Sequence, residues 1–232
     1  MDFLKILKSF EDFIYEALIW IILLPKTLAR IVAHPCRMTD YAAAELGRED
    51  ENRFSEEITP PLLLILCVLI AHFVDLGIRN HAQIHAADGS LSGMILGSEQ
   101  NLLLYRTIAF GIWAIAGAAF HLLHTGRPIG RANLRQPFYQ QCYLVAPFAL
   151  VLSVSISVIS HGRIWMVAGV VSALTAIVWF WIVQIIWIRR TTGLSVFRSS
   201  LTATLVVLTG AIFNAIVGGI LTSGLQTGAE QG

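Results

Sequence analysis

In 232 residues the chain is 56% hydrophobic and 13% charged, with a mean hydropathy of +0.69; soluble domains carry about a quarter charged residues. Its formal net charge is +1, and no stretch interleaves basic and aromatic residues densely enough for a nucleic-acid surface, so nucleic acid is excluded as a partner. Eleven of the fifteen acidic residues precede Ile58, and beyond Pro60 apolar blocks alternate with short polar connections. That is the pattern of one integral membrane domain behind an N-terminal cytoplasmic or interfacial segment, residues 1–57.

The first element is amphipathic. Phe3, Leu7, Phe10, Ile14, Leu18 and Ile21 recur at spacings of three and four, with Lys5, Lys8, Asp12 and Glu16 on the opposing side. This predicts a helix that ends before Pro25 and lies in the membrane interface, because spanning would bury five charges. The same stripe also suits packing on the protein's own membrane domain. Glu11, Asp12 and Glu16 interrupt the apolar start that a signal peptide requires, so the N-terminus is expected to be retained. From Lys26 to Glu57 the chain is polar and is expected along the membrane surface. A short helix is predicted from Pro35, at its first turn, to a stop at Gly47. The run REDENRFSEE, Arg48 to Glu57, reads as a solvated connection.

Residues 58–225 then hold five predicted spans, at about 59–76, 102–123, 142–160, 164–188 and 201–221, followed by a short tail, 226–232. Pro60 and Pro61 open the first span, where the missing amide protons are not needed. The second covers roughly 33 Å, matching a hydrocarbon core of about 30 Å. Residues 77–101 and the HTGRPIGRANLRQPFYQQ stretch after span two read as loops. Pro147 is expected to kink the third span, and Trp165 and Trp187 mark the interfacial ends of the fourth. The predicted fold is therefore an all-α, polytopic helical bundle of five transmembrane helices preceded by an interfacial helix.

Lysine and arginine collect in cytoplasmic loops. The N-terminal segment has seven, the loop after span two has Arg127, Arg131 and Arg135, and the loop after span four has Arg189, Arg190 and Arg198. Only Arg79 and Arg163 fall on the alternate side, with Arg106 inside a span. Thirteen against two predicts a cytoplasmic N-terminus and an external C-terminus. Arg127, Arg131, Arg135, Arg189 and Arg190 are also expected to meet anionic lipid headgroups.

Few residues carry chemistry. Asp75, at the outer end of span one, and Arg106, about one turn inside span two, share a depth and are expected to pair. His72 lies three positions before Asp75, the spacing a proton relay would use. His72, Asp75 and Arg106 thus form a candidate intramembrane polar site. His121 and His124 share a face, but two imidazoles without a nearby Cys, Asp or Glu define no metal site, and no cofactor is expected. Cys36, Cys67 and Cys142 are too scattered for a disulfide framework. GRPIGR, Gly126 to Arg131, lacks the Gly-Lys-Ser/Thr ending of a phosphate loop. Ser153, Ser155 and Ser157 have no base placed to activate them, so the protein reads as non-catalytic. Gln184 and Asn214 are expected to seek partners between helices. Gly169 with Ala173, and Ala211 with Ala215 and Gly219, form small-residue faces for helix packing or a homodimer.

The stretch IVAHPCRMTDY, Ile31 to Tyr41, leading to ITPPLLLILC, Ile58 to Cys67, with five closely spaced spans, resembles bacterial members of the Yip1-like family of small membrane proteins. The resemblance implies a non-enzymatic membrane component whose ligands are lipids, protein subunits or copies of itself. The alternative expectation is a small permease or channel, proton-linked, that uses the ionisable residues of spans one and two.

Overall fold

A computed structural model describes residues 3–48, 53–78, 99–159 and 161–229, with the side chains of 3–7, 12, 99 and 217–229 outside the description. Among the described residues there are seven helices and no strand. They are α1 (Phe3–Ala33), α2 (Pro35–Leu46), α3 (Pro60–Ile78), α4 (Glu99–His124), α5 (Arg131–Ile159), α6 (Arg163–Thr192) and α7 (Val196–Ala229). Five stretches, in α3 to α7, are long and apolar enough to cross a membrane. Helices suit that setting because they satisfy their backbone hydrogen bonds internally.

Several boundaries differ from the predicted ones. α1 does not stop before Pro25 but runs on to Ala33. A proline inside a helix frees the carbonyl four residues back, here that of Ile21, a residue 69% exposed, while Thr27 and Ile31 beyond it are fully buried. The break falls at His34, where α1 and α2 turn by 119°. His34 has φ −138° and ψ 61°, as the residue before a proline is driven out of the helical region. α2 matches its predicted limits, with Gly47 as its C-cap. α5 begins at Arg131 rather than Cys142 and accommodates Pro137 as well as Pro147. α7 continues to Ala229, into the predicted tail.

α5 is the central helix, packed against α1, α2, α3, α4 and α6, while α7 lies across α4 and α6. Phe148 of α5 stacks on Phe180 of α6 at 4.5 Å between centroids and meets Trp113 of α4 edge-on at 5.2 Å. In lipid such contacts hold helices together through packing rather than water exclusion. The Trp113 indole donates to the Val207 carbonyl of α7 at 3.2 Å, over a backbone opened by Gly210. At the bundle centre Gln141 and Gln184 exchange two hydrogen bonds, 3.0 and 2.6 Å, and both are fully buried. A Cβ on Gly117 would lie 2.5 Å from Gln141, so the glycine makes room for the amide pair.

Candidate functional site

Polar groups gather at both ends of the bundle. At the end formed by the last turns of α3 and α5, Arg106 Nη2 donates to Asp75 Oδ2 at 2.6 Å, and Ser157 Oγ donates to Asp75 Oδ1 at 2.8 Å. The predicted pair forms, and Ser157 is a third member. Arg106 Nη1 is buried without a hydrogen-bond partner among the described residues. His72 is 3% exposed, one turn before Asp75, and His161 lies at the same end with Nε2 2.9 Å from the Ile78 carbonyl oxygen.

The opposite end carries a folded cap instead of a polar segment lying along a surface. Thr27 donates to Glu57 Oε2 at 2.5 Å, and Arg30 pairs with the other oxygen of that carboxylate. Glu45 accepts from the Phe54 amide at 2.7 Å and from Arg48 at 2.5 Å. Phe54 itself is buried with φ 55°. Of the predicted solvated run, Phe54 and Glu57 are therefore interior, because Thr27, Arg30 and Glu45 supply the partners that burial demands; residues 49–52 lie outside the described residues. Tyr143 donates to the Ile58 carbonyl at 2.8 Å and Gln140 to the Thr39 carbonyl at 3.1 Å, latching the cap onto α5. Burial, with Glu45 and Glu57 nearby, pushes the Tyr41 phenol up to about 12. A cleft of about 380 Å³ opens beside it, with Arg30, His34, Arg37 and Glu56 in its wall.

Arginines dominate the helix ends beneath this cap. From Gln100 to Ala229 the sequence holds eight arginines and not one carboxylate. Arg190 reaches Asp40 of α2 at 2.7 Å, Arg135 lies 5.9 Å over the Tyr139 ring, and Arg131 and Arg189 are exposed. Arg127 is placed by the end of α4. Gly126 adopts φ 67°, the Arg127 amide donates to the Leu122 carbonyl at 3.1 Å, and the Gly126 amide donates to Leu123 at 3.4 Å. This is the Schellman pattern of a helix end. It sets Arg127 at the rim of a cleft of about 280 Å³ whose wall includes His121, Asn133, Gln136 and Thr191.

Of the packing residues, Gly169 fits tightly under α5, where a Cβ would lie 2.7 Å from Ile159 and from the Ser155 carbonyl. Ala173 is half-buried, whereas Ala211 and Ala215 are exposed; the surroundings of Gly219 lie outside the described residues. Asn214 accepts from Tyr105 at 3.4 Å and donates back to Gly210 of its own helix. No family model, curated protein or solved structure matches the chain. Sequence reasoning missed Ser157, Gln136 and the Glu57 carboxylate as site members. For Gln136 a signal was present, the carboxylate-free stretch that makes the α4–α5 turn uniformly basic.

Proposed function

We propose that the chain is a non-catalytic multi-pass component of a bacterial inner membrane, Yip1-like in arrangement, with a cytoplasmic N-terminus and an external C-terminus. It binds membrane lipid, protein subunits or its own copies through its basic end. One observation carries this reading. α1 seats Thr27 and Ile31 on the cap and bundle but leaves Phe10, Ile14, Leu18 and Ile21 between 41% and 69% exposed. An apolar stripe of that kind, beside a basic helix end, matches an in-plane helix on an anionic leaflet. The thirteen-to-two charge count supports the orientation. A fluorophore at position 14, in reconstituted vesicles, is expected to be quenched by brominated acyl chains and protected from aqueous iodide; the reverse result would overturn the reading. Activity of a cytoplasm-only reporter fused after Gly232 would reverse the orientation.

The Asp75, Arg106 and Ser157 cluster favours a second reading, a small proton-linked permease or channel. Both clefts described above lie at the other end of the bundle from it. Proteoliposomes holding a pH dye, challenged with a proton gradient, test it; proton leakage equal to that of empty vesicles would end it.

A further inference from the structure

We infer that the cleft at the start of α5 holds the phosphate of an anionic phospholipid headgroup. The inference deepens the lipid reading above and rests on this end of the bundle facing a leaflet. The cleft has a volume of about 280 Å³ and no carboxylate in its wall. Its free donors come from the turn between α4 and α5 and from the first turns of α5. The side chains of Arg127 and Gln136 make no ion pair or hydrogen bond to another described residue. Asn133 spends one amide proton on the Pro128 carbonyl at 3.0 Å and keeps the other. His121 borders the cleft with its Nδ1 3.3 Å from the Thr191 hydroxyl. A guanidinium with surrounding neutral donors is the set that phosphate oxygens take, since charge-assisted bonds are the stronger ones and an arginine fork fits a phosphate.

Two further features select a lipid and an anionic one. Leu123 and Ile129 flank the turn and are 60% and 58% exposed, so an acyl chain leaving the cleft meets apolar surface. The ammonium of a zwitterionic headgroup would take a carboxylate or an aromatic face, and the wall of the cleft holds no Asp, Glu, Trp, Tyr or Phe. Asp40, at this end of the bundle, is already engaged by Arg190.

The test is native mass spectrometry of the full chain released from nanodiscs of phosphatidylglycerol or phosphatidylcholine. It compares wild type with Arg127→Gln, Gln136→Leu and Arg198→Gln. Gln136→Leu leaves the net charge unchanged, and Arg198→Gln removes an exposed arginine outside the cleft. Arg127→Gln and Gln136→Leu are each expected to reduce retained phosphatidylglycerol about tenfold. Arg198→Gln should do so less than Arg127→Gln, and phosphatidylcholine should be retained poorly by all four proteins. Wild-type retention by Gln136→Leu, or equal losses from Arg127→Gln and Arg198→Gln, would reduce the contact to diffuse attraction and overturn the site. Displacement of the lipid by inorganic phosphate in the millimolar range would overturn the lipid source in favour of a soluble phosphate compound. All three substituted side chains are exposed, and an unchanged elution profile checks folding. The quenching experiment on α1 involves none of these residues, so its failure and the failure of the cleft are separately readable.

Discussion

Asp75 of α3 and Arg106 of α4, 31 positions apart in the chain, meet at 2.6 Å with side chains only 11% and 20% exposed. Removing one member of such a pair strands the other charge in a poor solvent, at roughly 3 kcal/mol. Asp75→Asn and Arg106→Gln are therefore each expected to destabilise the protein by about that amount. The double variant, which strands no charge, should be no worse than either single one. Equilibrium unfolding in mixed micelles measures the cycle, and additive losses would show that the two residues act independently.

The amide pair at the bundle centre makes a parallel prediction for neutral groups. Gln141→Leu leaves the Gln184 amide buried without its partner, and a lost interhelical hydrogen bond in a membrane protein is worth about 0.6 to 2 kcal/mol. Replacing both glutamines by leucine should recover most of that loss, since apolar groups of similar shape need no partner. Gly117→Ala should cost about 1–3 kcal/mol through overpacking against Gln141. The same unfolding measurement reads all three variants, and a Gly117→Ala protein as stable as wild type would mean that Gln141 moves aside freely.

These two sites differ in how readable they were. The five spans and the pairing of Asp75 with Arg106 follow from hydropathy and depth, properties carried by each segment alone. The start of α5 does not. Hydropathy fades before Cys142, yet the helix reaches back to Arg131 because Gln140 finds the Thr39 carbonyl and Gln141 finds Gln184, partners on other helices. Glu57 is similar: in sequence it closes a charged run, and in space Thr27 and Arg30 draw it inside. α1 passes Pro25 for a like reason, since Thr27 and Ile31 gain contacts that outweigh the one freed carbonyl.

The small-residue faces divide into one packed inside the chain and one left exposed. Gly169 lies against Ile159 and the Ser155 carbonyl, so Gly169→Ala is expected to destabilise the bundle by about 1–3 kcal/mol. Ala211 and Ala215 are exposed on α7, and Ala211→Leu should change monomer stability by no more than about 0.5 kcal/mol. If copies of the chain associate through this face, the same leucine should abolish crosslinking between α7 helices in vesicles. Destabilisation of the monomer by Ala211→Leu would contradict its exposed placement.

Tyr41 gives the cap a pH dependence of definite sign. Its phenol titrates near 10.0 in an unfolded chain and is raised to about 12 in the fold, chiefly by burial and then by Glu45 and Glu57. Below about pH 10 both states hold the proton and the contribution to stability is fully present. Between about 10 and 12 the unfolded chain releases the proton while the folded one keeps it, so stability falls as pH rises through this window. Thermal unfolding followed by circular dichroism at alkaline pH should therefore decline more steeply for wild type than for Tyr41→Phe, in which this titration is absent. The difference in phenolate absorbance between the two folded proteins should have its midpoint nearer 12 than 10. Parallel stability curves with a midpoint near 10 would mean that the ring is open to water and that the cap does not enclose it.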